Sequence, residues 1–102
     1  MVEFSFIVFG RYTMRYELEE LLKNELRMLA LQTRDRLNLT QKEMAKRLEM
    51  SESSYSDIET GKAMCSTLTT VLLLQMQEDP DAYLKYLQKQ FENAYIKLMQ
   101  IV

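Results

Sequence analysis

Cys65 is the single thiol of this 102-residue chain, and no histidine stands anywhere to take its proton. A thiol nucleophile needs such a base or a depressed pKa, so Cys65 reads as a semi-buried packing residue. The missing imidazole also removes the commonest general base. With one cysteine and no histidine, a disulfide framework and an ordinary zinc site are both excluded. Asp79 and Asp81 resemble a fragment of a calcium loop, but helix capping around Pro80 accounts for them better. The sequence holds no glycine-rich phosphate loop, no catalytic constellation, no metal site and nothing that requires a cofactor. It reads as a non-enzyme.

The remaining chemistry is that of polar surfaces, and it concentrates in LTQKEMAKRLEMSESSYSDIETGK, residues 39–62. Lys42, Lys46 and Arg47 form either a solvated outer face or a row of phosphate contacts, which give affinity without sequence information. Two short helices must position these groups. Thr40 can cap the first, with Glu43 three residues on completing a capping box. Ser51 can cap the second, and Gly61 marks its end. Met44 and Leu48 face inward from the first helix, Tyr55 and Ile58 from the second. Met50 plugs the turn, and small Ala45 lies where the helices cross. Helices this short are not stable alone. The rest of the domain must hold them at a steep angle, which frees the second to project into a groove.

This segment resembles the Cro/repressor-type helix-turn-helix of the lambda-repressor-like (Xre) family, through its Leu-Thr-Gln opening and Ile-Glu-x-Gly-Lys close. The resemblance covers roughly residues 28–77, and Met44, Ala45, Leu48, Met50, Tyr55 and Ile58 match the family's hydrophobic positions. It implies a bundle of about five helices that binds double-stranded DNA. Gln41 then matches a residue that contacts phosphate and buttresses the reading helix, although a solvated first-turn role is the plainer alternative. Glu52, Ser53 and Asp57 match positions facing base edges, and Ser56 reaches the groove or its wall. Thr60 and Lys62 match the phosphate-facing loop. Arg34 and Glu59 match a structural ion pair between the first and third helices. Three departures stand out. Glu49 occupies a turn position where the family has Gly, and Cys65 one where it has Pro. The reading helix carries no Arg, Lys, Gln or Asn among its base readers, so the bidentate contacts to guanine and adenine are missing.

Around this motif the chain divides into an N-terminal arm (1–13), a helix-turn-helix domain (14–78) and a C-terminal helix (79–102). In the arm, Val2, Phe4, Phe6 and Val8 alternate with Glu3, Ser5, Ile7 and Phe9, a period of two that predicts a strand. A lone strand needs a partner and no second strand is evident in the sequence, so it would pair with a second copy or a partner protein; the alternatives are an extended arm on the helices, or residues upstream of a true start at Met14. From Arg15 to about Leu37 the pattern is helical, with Leu18, Leu21, Leu22, Glu25, Leu29 and Thr33 on one stripe and Asn38 as terminator. Ser66 caps a fourth helix whose run of Val71, Leu72, Leu73, Leu74 and Met76 predicts burial on most sides. Pro80 opens a fifth. There Tyr83, Leu87, Phe91, Tyr95 and Leu98 form the expected dimerisation stripe, the alternative being that they cap the monomer's own core.

The fold class is therefore all-α, five helices with an extended or β-strand arm. Two Gly and one Pro among 102 residues agree with helices joined by short turns. The formal net charge is −2, and from Arg34 to Lys62 acids equal bases, so no net field draws DNA in. No signal peptide and no membrane-spanning run is evident, and a cytoplasmic location follows. The expected function is a homodimeric DNA-binding transcriptional regulator, a repressor by analogy. The alternative is a protein-interaction or antitoxin-like module that keeps the fold but binds DNA weakly or not at all.

Overall fold

A computed structural model describes the backbone of residues 2–101 and the side chains of residues 14–100. It contains five helices: α1 (Val2–Arg36), α2 (Gln41–Arg47), α3 (Glu52–Glu59), α4 (Thr67–Gln75) and α5 (Pro80–Ile101). The described residues include no strand.

The N-terminal segment corrects the sequence reading. Neither a strand nor an extended arm forms, and α1 runs unbroken from Val2. A helix satisfies its backbone N–H and C=O groups within its own segment. A single strand would leave them waiting for a second one, and the described residues supply none.

The chain divides into two compact units, one of residues 23–80 and one of residues 1–22 with 81–102. In the first, Leu26, Leu29, Ala30 and Thr33 of α1 follow the i, i+3, i+4, i+7 spacing of one helix face and are buried. They share a core with Met44, Ala45 and Leu48 of α2, Tyr55 and Ile58 of α3, Cys65, and Leu73 of α4. Burial raises the Cys65 thiol above its ordinary value, which keeps it protonated and inert. Buried Thr33 turns its hydroxyl onto the Leu29 carbonyl at 2.7 Å and accepts from Gln77 Nε2 at 2.8 Å. The chain after α4 is thereby tied back to α1.

Local chemistry sets the helix ends. Thr40, Ser51 and Ser66 each sit in extended backbone and accept a hydrogen bond from the amide three residues ahead, satisfying a donor the helix leaves open. At Thr40 the box is reciprocal, with Glu43 accepting from the Thr40 amide at 3.0 Å. Three C-termini close in the same way, through a residue in left-handed backbone: Asn38 (φ 54°), Glu49 (φ 57°) and Gly61 (φ 79°). At each, paired return bonds cap the last carbonyls: Leu39 to Arg34 with Asn38 to Asp35, Met50 to Ala45 with Glu49 to Lys46, and Lys62 to Asp57 with Gly61 to Ile58.

Helix α4 departs from expectation. Its apolar run is not buried on most sides: Leu73 is fully buried, Leu72, Leu74 and Met76 are half-buried, and Val71 is 46% exposed. A nine-residue helix on the flank of a small core has only one face to bury.

In the other unit, Tyr83, Leu87, Phe91, Ala94 and Leu98 form the half-buried stripe of α5. Leu21, Ala94 and Leu98, rimmed by Glu17 and Lys97, line an open cavity of about 270 Å³. Leu84, Tyr86, Tyr95, Ile96 and Met99 are exposed on α5. No helix among the described residues is long and apolar enough to cross a membrane.

Candidate nucleic-acid interface

Helices α2 and α3 are joined by a tight turn that hinges on Glu49. Its left-handed backbone lets the Met50 amide return to the Ala45 carbonyl at 3.0 Å. Met50 is half-buried beneath the turn, and Ala45 is 2% exposed between the helices. Tyr55 and Ile58 anchor the inner face of α3 in the core.

One carboxylate holds the far end of α3. Arg34 Nε donates to Glu59 Oε2 at 2.6 Å and Arg34 Nη2 to Glu59 Oε1 at 3.1 Å, the parallel fork geometry that suits guanidinium and carboxylate. Gln41 Nε2 donates to Glu59 Oε1 at 2.9 Å. Arg34 also reaches the Leu39 carbonyl at 3.2 Å, and Arg27 donates to the Glu59 carbonyl at 3.4 Å. Side chains of α1 and α2 thus converge on a carboxylate of α3 whose side chain is 5% exposed. Burial pushes the Glu59 carboxyl up, but hydrogen bonding from Arg34, with the Gln41 amide adding to it, outweighs burial and holds it below its ordinary value. Hydrogen bonding to Glu59 raises the Arg34 guanidinium in turn. The Tyr55 hydroxyl lies near enough to influence this carboxylate, yet its geometry completes no hydrogen bond. It is an orphaned buried donor.

The outward side chains differ. Glu52 and Ser53 are exposed, and Ser56 and Asp57 are half-exposed. At about 100° per residue these four fall within an arc of roughly 140° on α3. None has a side-chain hydrogen bond or ion pair within the described residues. Lys42, Lys46 and Arg47 are exposed on α2 and form no ion pair there, although Arg47 lies close enough to Glu43 to help lower that carboxyl. The main lowering of Glu43 comes from the Thr40 backbone and hydroxyl. Lys62 is exposed in the loop after α3. Thr60 turns its hydroxyl back onto the carbonyls of Ser56 and Asp57, at 3.0 and 3.3 Å, so that donor is already engaged. The expected dimerisation residues belong to the other unit: Tyr83, Leu87, Phe91 and Leu98 are half-buried there and Tyr95 is 51% exposed.

Sequence reasoning missed Arg27 and the Tyr55 hydroxyl. A signal for Arg27 existed, since a position seven residues before Arg34 lies on the same helix face. Nothing local marks Tyr55, whose ring reads as plain core. No group of acidic or cysteine side chains among the described residues could hold a metal ion.

Two short capped helices, a tight turn and an outward second helix define a helix-turn-helix, the arrangement that places one helix in a DNA groove. The family model described as helix-turn-helix domain matches residues 25–76, and the chain belongs to that family. The match agrees with the lambda-repressor-like resemblance of its motif. No curated protein and no solved structure matches the chain.

Proposed function

We propose that this protein is a DNA-binding transcriptional regulator, a repressor acting in the cytoplasm as a homodimer, with α3 entering the major groove at each half-site. The carrying observation is the division of α3 into two faces. Its inner face is pinned by Tyr55, Ile58 and the Arg34–Glu59–Gln41 cluster, while Glu52, Ser53, Ser56 and Asp57 point outward with no side-chain partner among the described residues. Unpaired polar groups on a rigidly held helix are what base reading requires. Lys42, Lys46, Arg47 and Lys62 supply phosphate contacts around it, Thr60 joins them by releasing its hydroxyl from the Ser56 and Asp57 carbonyls, and Gln41 supplies one from the edge while buttressing Glu59. Two such helices in a dimer would address half-sites about one DNA turn apart. The apolar exposure along α5, at Leu84, Tyr95 and Met99 beside the half-buried stripe, supports that helix as the dimer seam. The chemistry is binding alone and needs no cofactor.

Binding of the full chain to randomised duplex DNA tests this reading, followed over a salt series. A regulator loses affinity steeply as salt rises. Binding that is absent at low salt refutes the proposal.

A second reading, a protein-interaction module of antitoxin-like character, is favoured by one feature of the helix-turn-helix unit. Met64, Leu68 and Val71 are exposed apolar side chains around the start of α4, and the outward face of the reading helix carries two acids and no base. Such a module would capture a protein partner and show no salt-dependent DNA binding.

A further inference from the structure

The outward face of α3 presents an unusual set of hydrogen-bonding groups. Glu52 and Asp57 are carboxylates, which only accept, and Ser53 and Ser56 carry hydroxyls that donate or accept. No salt bridge within the described residues neutralises either acid. A carboxylate brought to the major-groove edge meets acceptors at guanine N7 and O6 and at thymine O4, and is repelled there. Adenine offers the N6 amine with the N7 acceptor beside it, so one carboxylate oxygen is matched and the other opposed. Cytosine alone shows a donor, its N4 amine, with no acceptor on its own edge, the nearest being guanine O6 across the pair. We propose that Glu52 and Asp57 make cytosine the base this protein demands at two positions of its half-site, each accepting a hydrogen bond from N4.

The spacing sets how far apart those positions lie. Five residues of helix rise about 7.5 Å, close to two base steps of about 3.4 Å each. The two cytosines therefore lie about two base pairs apart, on one strand or on opposite strands. Ser53 and Ser56 fall between them and tolerate several bases. An unpaired acid facing the wrong base adds repulsion, so discrimination comes from rejection as much as from attraction.

The inference rests on α3 entering the major groove, and the experiment separates its failure from the failure of that reading. The full wild-type chain, Glu52→Gln and Asp57→Asn are each put through selection from randomised duplexes. Winning sites are then re-measured with single C·G to T·A exchanges. Wild type should enrich two cytosines about two base pairs apart, and each exchange should weaken binding on the order of tenfold to a hundredfold. Glu52→Gln should change one of the two preferences from cytosine toward adenine, the base a Gln amide matches on two atoms. Asp57→Asn should do the same at the other position. If wild type selects sites without cytosine at those positions, the inference falls and DNA binding stands. It also falls if both variants tighten binding to every duplex equally while keeping the wild-type preference, because the acids then act only as unspecific repulsion. If wild type enriches no duplex at all, the DNA-binding reading fails and takes this one with it.

Discussion

Glu59 of α3 is gripped along both of its oxygens by Arg34 of α1, at 2.6 and 3.1 Å, with Gln41 of α2 on one of the same oxygens at 2.9 Å. The Glu59 side chain is 5% exposed and that of Arg34 28% exposed. A buried charge stripped of its partner costs about 3–5 kcal/mol, whereas replacing both with apolar groups of similar size is close to neutral or favourable. Arg34→Met should thus lower the unfolding free energy by about 3 kcal/mol, the low end because water reaches the Arg34 side. Glu59→Met in that background should recover most of the loss. Urea unfolding of the single and double variants checks both; additive losses would show that the two side chains do not interact.

The same carboxylate makes stability depend on acid. Glu59 titrates below its ordinary value of 4.5 in the folded protein, and so does Glu43. A carboxyl lowered on folding contributes stability that is fully present above its unfolded value and is lost as pH falls through the folded one. Unfolding free energy should be flat across neutral pH, where the absence of histidine leaves no side chain to titrate at its ordinary value, and should drop from about pH 5 downward. Glu59→Gln should flatten that acid limb while lowering the neutral plateau. An unchanged acid limb in this variant would assign the effect to other carboxylates.

Tyr55 is completely buried, and its hydroxyl has no hydrogen-bond partner. Burial first, then the neighbouring Glu59 carboxylate, raises its pKa far above the ordinary phenol value. An unsatisfied buried polar group costs about 1–3 kcal/mol. Tyr55→Phe should therefore leave stability unchanged or raise it by up to about 1 kcal/mol. A loss of 2 kcal/mol or more, on the scale of about 1–3 kcal/mol set by such groups, would reveal a hydrogen bond in solution.

Two turn positions test backbone strain in opposite directions. Glu49 holds φ 57°, where a side chain is disfavoured, and Gly61 holds φ 79°. Glu49→Gly should stabilise by about 0.5–1 kcal/mol, the relief of left-handed strain offset by glycine's greater unfolded entropy. Gly61→Ala should cost about 1 kcal/mol. A Cβ there would meet Arg27 Cδ at 3.7 Å, an ordinary contact, so the cost is the backbone's alone. Thermal denaturation orders the three proteins, Glu49→Gly above wild type above Gly61→Ala.

The helix-turn-helix was legible because its signals are local. Thr40 with Glu43, Ser51, Ser66, Asn38 and Gly61 act on backbone groups within a few residues, and the structure uses each as a cap or terminator. The inward set Met44, Ala45, Leu48, Tyr55 and Ile58 follows from helical period alone and is buried. What escaped the sequence depends on distant partners. The Gln77–Thr33 bond joins residues 44 apart, and no local pattern announces it. The run Val71–Leu74 reads as buried all round, but how much of it is covered depends on what lies beside α4. The first dozen residues carry a period-two pattern too short to separate strand from helix. The missing partner strand, already noted from the sequence, was the better guide.

Outer-face cations should act differently from the groups on α3. Lys46 is exposed, forms no ion pair among the described residues, and lies one turn from Lys42 on α2. In the proposed regulator its ammonium meets a phosphate, which every sequence possesses. Lys46→Ala should then weaken binding to all duplexes by a similar factor and reduce the dependence of log affinity on log salt by about one. The selected sequence should not change. Ser53→Ala, which removes a hydroxyl from the reading face and no charge, should leave the salt slope intact and relax preference at a single position. Titrations at several salt concentrations, with the best duplex and a scrambled one, separate the two patterns. If both substitutions change the salt slope equally and neither touches sequence preference, α3 lies outside the groove and the docking geometry proposed for this domain is wrong.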